Sequence, residues 1–157
     1  MEEYMRVAIE EAEENLKSKD GGPFGACVVK DGKIVGRGRN KVLKSHDPTS
    51  HAEVNAIRDA AKNLGTHDLS ECEIYTSSYP CPMCLGAIIW ANINKVYYAN
   101  TKEDAENIGF RDDFIYQYIS LLAKHKENKE IIEFVPMLRD EAIKTFKEYD
   151  KKNMEIY

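Results

Sequence analysis

His51 and the pair Cys81 and Cys84 stand far apart in the chain, yet all three carry metal-ligating side chains. A fold that uses them together must bring two remote segments to one point. The segments read His51-Ala52-Glu53 and Pro80-Cys81-Pro82-Met83-Cys84. Ser50 is a good N-cap, which would put His51 in the first turn of a helix. Cys81 and Cys84 are spaced so that both sulfurs face one side at the start of another helix. Helix N-termini carry partial positive charge, which favours thiolates. Two thiolates neutralise a divalent cation, and soft sulfur with imidazole selects zinc over magnesium or calcium.

A structural zinc site normally takes four protein ligands, whereas a catalytic one keeps a position open for water. Three ligands beside an uncoordinated Glu53 therefore have the composition of a site that activates water. Other readings use the same residues. Ser50-x-x-Glu53 is also a capping box, in which the carboxylate bonds back to the Ser50 backbone. A C-x-x-C pair can be redox-active. A non-catalytic zinc module would need a fourth ligand, for which His46 and Cys72 are the candidates.

The patterning around these motifs alternates strands and helices. Met5, Ala8, Ile9, Ala12 and Leu16 form one apolar stripe of a helix over residues 2–19, stopped by Asp20-Gly21-Gly22-Pro23. Phe24 to Val29 reads as a buried strand, and Asp31-Gly32 as a tight hairpin turn into a second strand, Lys33 to Asn40. A loop over 41–49 precedes the His51 helix, which Gly65 ends. Glu73 to Thr76 is a short strand, Pro82 to Asn92 a helix with proline in its first turn, and Lys95 to Ala99 another strand. The order implies a layered α/β domain with part of its sheet parallel. Residues 113–125 and 137–149 suit helices, and Ile131 to Val135 a short extended piece. The chain of 157 residues reads as one domain, 1–157, with a helical C-terminal arm.

With 27 acidic against 22 basic residues and a net charge of −5, the chain lacks the basic footprint of a polyanion binder, so no nucleic-acid partner is expected. The basic stretch Lys30, Lys33, Arg37, Arg39, Lys41 and Lys44 reads as a solvated hairpin face. No apolar run approaches a membrane span, and the acidic start does not resemble a signal peptide, so the expected location is cytoplasmic. Cysteines in such a chain argue for metal chemistry over a disulfide framework.

The His-x-Glu and Pro-Cys-x-x-Cys pair resembles the signature of zinc-dependent base deaminases. With Gly21-Gly22-Pro23-Phe24-Gly25-Ala26, Asn40, Asp47-Pro48-Thr49 and Gly109 to Tyr116, the chain resembles the cytidine-deaminase-like superfamily, and within it the small bacterial guanine deaminases. The 109–116 block and the tail ending in Tyr157 carry the likeness to guanine enzymes. The resemblance implies a three-layer α/β/α fold with a mixed five-stranded sheet. It implies one Zn²⁺ per subunit, held by His51, Cys81 and Cys84, with Glu53 as proton shuttle. It also implies a homodimer that exchanges the arm of about 109–157. By position, Asn40 would hydrogen-bond the base, Phe24 would pack on its ring, Ala52 would offer a backbone contact, and Asp112 would read the guanine edge and assist proton transfer. Asp113 could exchange roles with Asp112. Tyr157 would join the substrate site, and Trp90 would line the pocket or pack in its helix. The reaction so implied is hydrolytic deamination of guanine to xanthine and ammonia. Another purine base, guanosine, cytosine, or adenosine in tRNA would be the alternative substrates. Tyr79 departs from the acidic residue often found before the Pro-Cys pair, which bears on substrate choice more than on mechanism.

Overall fold

The structure is a computed structural model that describes residues 1–126 and 128–157. It contains α1 (Glu2–Ser18), β1 (Gly25–Lys30), β2 (Lys33–Arg39), α2 (Val42–Ser45), α3 (Ala52–Leu64), β3 (Cys72–Ser78), α4 (Pro82–Trp90), β4 (Val96–Asn100), α5 (Lys102–Asn107), α6 (Asp112–Ala123) and α7 (Arg139–Lys151). Among the described residues these elements fall into two compact units, Met1–Ile119 and Ser120–Tyr157. The division comes later than the arm boundary near residue 109 that the sequence suggested.

In the first unit the sheet runs β2-β1-β3-β4. β1 is antiparallel to β2 and to β3, while β3 and β4 are parallel, so the sheet is mixed. It has four strands among the described residues, not five. Ile131 to Val135, the only other extended candidate, forms no strand, and its apolar side chains Ile131, Ile132, Phe134 and Val135 are exposed. A strand needs a ladder partner for its backbone groups, and no strand ladder is formed by this segment. The Asp31-Gly32 turn forms as expected, with positive φ at both residues (49° and 73°).

Side chains alternate across β1 and β3 and so build two apolar layers. Ala26, Val28 and Ile74 pack against Ala52, Ala56 and Ala60 of α3 and Ile88 of α4. Cys27, Val29 and Tyr75 pack on the other side against Ala8 of α1, with Tyr4 and Met5 nearby. This is the three-layer α/β/α arrangement. α3 lies very close to β2. A Cβ added at Gly36 would fall 2.5 Å from both the Ala56 carbonyl oxygen and the Ala60 amide nitrogen. Gly38 is equally crowded by Ala52 and Ala56. Glycine at alternate positions of β2 thus faces alanine at every fourth position of α3, and this contact fixes where the N-terminus of α3 points.

The basic stretch is largely solvated, with Lys33, Arg37, Lys41 and Lys44 exposed, while Arg39 is half-buried. Arg39 lies 3.7 Å from Glu11 and 3.3 Å from Asp20, tying β2 to α1 and to the loop after it. Two short helices add to the expected elements: α2 lies within the stretch 41–49 read as a loop, and α5 follows β4. α5 is started by a Thr101–Asp104 capping box. In the second unit, α7 buries none of its residues, and Phe146 is exposed on it. No helix among the described residues is long and apolar enough to cross a membrane.

Candidate active site

α3 and α4 begin in the same way. His51 is the N-cap of α3 and Cys81 the N-cap of α4, both in extended backbone conformation (ψ 159° and 167°), and neither side chain caps its own helix. A Ser or Asp at such a position would normally fold back onto the helix amides. Here the two side chains are turned toward each other. The N-cap is therefore His51 rather than Ser50, and the capping box expected from Ser50 and Glu53 does not form. Ser50 instead hydrogen-bonds Asn55.

His51 Nδ1 lies 3.5 Å from Sγ of Cys81 and 3.5 Å from Sγ of Cys84. All three ligand atoms fall within 4.8 Å of one another, and they form the only such group of three among the described residues. Tetrahedral zinc with about 2.3 Å to sulfur and about 2.0–2.1 Å to nitrogen would set N and S about 3.6 Å apart. The donor set and its N–S spacing therefore fit zinc. His46 and Cys72, the candidate fourth ligands, lie outside the group.

The electrostatics favour one thiolate, on Cys81. Its contact with Cys84, together with His51, pulls the Cys81 thiol far below its ordinary value against the opposing effect of burial. Cys84 is pushed up, first by its contact with Cys81 and then by burial and the nearby Glu53. His51 is raised, mainly by its contact with Cys81. Glu53, on the second residue of α3, is buried, and its Oε2 accepts a hydrogen bond from Cys84 Sγ at 3.3 Å. Burial raises its pKa above the usual carboxylate value, with Cys81 adding to the shift.

A cavity of about 440 Å³ opens over this cluster, within the range of small-molecule sites. Its wall includes Phe24, Asn40, His51, Glu53, Cys81 and Asp112. Asn40 is buried and well fixed. Its Oδ1 accepts from the Val42 amide at 3.1 Å, and its backbone is bonded to Phe24 and Asn15. Asp112 opens α6 and is half-buried; burial raises its carboxyl, as does Cys81, while His51 opposes the shift. Asp113 is not part of the wall and accepts a hydrogen bond from Gln117 at 2.5 Å.

Ala52 is fully buried beneath the cavity, against Gly38, rather than on the wall. Trp90 fits neither expectation. It is 68% exposed at the end of α4, outside both the wall and the helix core. Tyr157 belongs to the second unit and is 75% exposed.

Sequence reasoning assigned no role to Phe110, Ser78 or the Tyr79 surroundings. Phe110 meets Phe24 edge to face at 4.7 Å, and both rings line the cavity. Tyr79 is also on the wall, with the Lys102 ammonium 5.0 Å from its ring centre and 4.6 Å from that of Tyr116. Tyr116 donates to the Pro80 carbonyl at 2.7 Å. Aromatic packing and cation–π contact thus occupy the place where a carboxylate would have stood.

The comparisons with known proteins agree with this chemistry. Residues 1–100 match the cytidine and deoxycytidylate deaminase zinc-binding region. The chain is 50% identical over 125 residues to guanine deaminase of Bacillus subtilis, covering 80% of each protein. A crystal structure of guanine deaminase from that organism superposes with a TM-score of 0.90 at 44% identity, over 99% of this chain and 98% of that one. A tRNA-specific adenosine deaminase of Aquifex aeolicus is 39% identical over 98 residues, 62% of this chain and 64% of its own. A structure solved in complex with 8-azaguanine matches at 38% identity and a TM-score of 0.66, over 69% of this chain and 63% of that one. A family match over the segment that holds every ligand agrees with the three-donor zinc geometry, and on both grounds the chain belongs to the zinc-dependent deaminases of the cytidine and deoxycytidylate deaminase family.

Proposed function

We propose that this enzyme hydrolyses guanine to xanthine and ammonia. The observation that carries the proposal is the juxtaposition of the His51, Cys81 and Cys84 donor set with the buried carboxylate of Glu53 and with Asn40, Phe24 and Asp112 around one cavity. The overall likeness to guanine deaminase of Bacillus subtilis supports the choice of base. Zinc held by the three residues would lower the pKa of its water toward about 7 and so make a nucleophile available at neutral pH.

The remaining work falls to the chain. Phe24, braced by Phe110, packs against the face of the base. Asn40 has its Oδ1 committed to Val42, so it offers Nδ2 as a donor to an acceptor on the ring. Asp112 accepts from adjacent N–H donors of the guanine edge, a pairing that a carboxylate makes well. Glu53, raised by burial, is suited to shuttling a proton. It takes a proton from the attacking water and delivers it to a ring nitrogen as the C–O bond forms; it then takes the second proton from the resulting hydroxyl and hands it to the amine as the C–N bond breaks. Water and guanine are consumed, and ammonia and xanthine leave.

The chain also acts as a homodimer that exchanges a C-terminal segment, in this reading. Support comes from the exposed apolar side chains of that segment, including Phe146 and Ile156. Because the cavity and Asp112 lie in the unit ending at Ile119, the exchanged segment would be 120–157, bringing Tyr157 to the site.

The test is ammonia release from guanine, guanosine, adenine, cytosine and cytidine by the zinc-loaded protein. Guanine should be turned over with the highest kcat/KM. No release from guanine with clear release from another base would overturn the substrate and leave the mechanism standing.

A further inference from the structure

β3 ends in three consecutive hydroxyl residues, Thr76, Ser77 and Ser78, all buried. Two of the three are satisfied within the protein. Ser77 Oγ accepts from the Gly25 amide at 3.0 Å, and the Thr76 hydroxyl donates to the Ser78 carbonyl at 3.0 Å. Ser78 Oγ is different: the residue is 4% exposed, and its hydroxyl has no hydrogen-bond partner. Buried hydroxyls are nearly always paired, so an orphan calls for a partner from outside the chain. Ser78 lines the same cavity as Glu53, Asn40 and Asp112. It also stands at the C-terminal end of a strand parallel to its neighbour, the end at which open α/β sheets bind ligands.

We propose that Ser78 is a substrate-contacting, specificity-determining residue whose hydroxyl hydrogen-bonds a polar atom on the edge of the bound base. The proposal rests on the purine-deamination reading above. Asn40 offers the ring a donor and Asp112 an acceptor, whereas a serine hydroxyl supplies either and rotates to suit. Ser78 thereby adds a third polar contact from the strand side of the cavity. Ser78 and Phe24 also border a second cavity of about 420 Å³, but that one contains neither the ligand cluster nor Glu53. A hydroxyl serving only the second cavity would have no effect on turnover.

Ser78→Ala removes the hydroxyl without taking a partner from the protein. The zinc content and Tm of the zinc-loaded variant are expected to match the parent, while kcat/KM for guanine falls about 3- to 10-fold, the effect of one ordinary hydrogen bond. A series of guanine analogues, each with one ring nitrogen replaced by carbon or lacking the ring carbonyl, then identifies the contacted atom by competitive inhibition. In the parent, one analogue binds more weakly than guanine because of its missing atom; in Ser78→Ala that penalty disappears. Unchanged kcat/KM for guanine overturns the proposal, as does a lowered Tm with equal loss for every analogue. If the parent is inactive on guanine but turns over another base, the guanine reading fails and Ser78 is judged by the same comparison on that base. If the parent neither binds nor turns over any base, both fall.

Discussion

Glu53 Oε2 accepts a hydrogen bond from Cys84 Sγ at 3.3 Å, so the one carboxylate in the cluster is joined directly to a metal-ligating sulfur. It is buried, and it forms no capping box with Ser50. Glu53→Gln should therefore keep the helix and the metal. Zinc per chain, read by elemental analysis, is expected to equal the parent, while kcat falls by about 10²–10⁴-fold, the usual worth of a positioned acid–base group. Near-parental turnover would remove Glu53 from the proton path.

Chelation should expose the ligand cysteines selectively. Burial pushes the Cys27 thiol up to about 12, and burial also raises Cys72, whereas Cys81 is held low. A folded, zinc-stripped sample is expected to take alkylating label first at Cys81 and to leave Cys27 unmodified, as peptide mass spectrometry would show. Zinc-loaded protein should resist labelling at Cys81 and Cys84. Label at Cys27 before Cys81 would contradict the electrostatic ordering.

Gly36→Ala tests how tightly α3 is seated. The added methyl group would meet two backbone atoms of α3 at 2.5 Å, and backbone yields less readily than a side chain. The expected destabilisation is about 1–3 kcal/mol or more, seen as a lower denaturation midpoint. Displacement of α3 would also move His51, so weaker zinc retention should accompany it. A variant as stable as the parent would show that the helix can lift at little cost.

Asp20 predicts a feature of the acid limb of stability. Burial raises its carboxyl, but hydrogen bonds and charge from Arg39 and Lys44 outweigh that and leave it below the ordinary value. With a folded pKa below the unfolded one, its contribution is complete above the unfolded value. It is lost as pH falls through the folded value. Asp20→Asn should lower stability at neutral pH and flatten the fall in acid, measured as urea midpoints across pH. An unchanged acid limb would mean the Arg39 and Lys44 contacts contribute nothing in solution, as many exposed ion pairs do.

The proposed exchange of segment 120–157 is tested by truncation. The full chain should sediment as a dimer, and a chain ending at Ile119 should be monomeric, retain zinc and lose about tenfold or more of its turnover through the missing closure. A fully active monomer of either length would rule the exchange out.

Much of the site was legible because metal chemistry is written in side-chain identity. His51, Cys81 and Cys84 specify a soft, three-donor set wherever they meet, and the flanking helical patterns indicate that they meet at helix starts. Asp112 lies on the cavity wall. Several other positions were not legible. Trp90 is apolar and helical by pattern yet exposed, because periodicity does not say which side of a short apolar helix is covered. Ile131 to Val135 has strand-like residues without a strand, since pairing requires an edge that a local pattern cannot supply. The Ser50 capping signature was locally valid and was overridden when the chain placed His51 at the cap.

The sequence by itself determined the reaction class, because the ligand set and a neighbouring carboxylate define what the metal can do. The tertiary structure decided how that set is aimed. The close contact of Gly36 and Gly38 with α3 seats one ligand-bearing helix against the sheet. The pairing of β3 with its neighbours leads to the other helix and leaves Ser78 Oγ unpartnered on the cavity wall. Whether a hydroxyl is satisfied or left for a ligand depends on atoms distant in the chain, and only the folded arrangement brings them within reach.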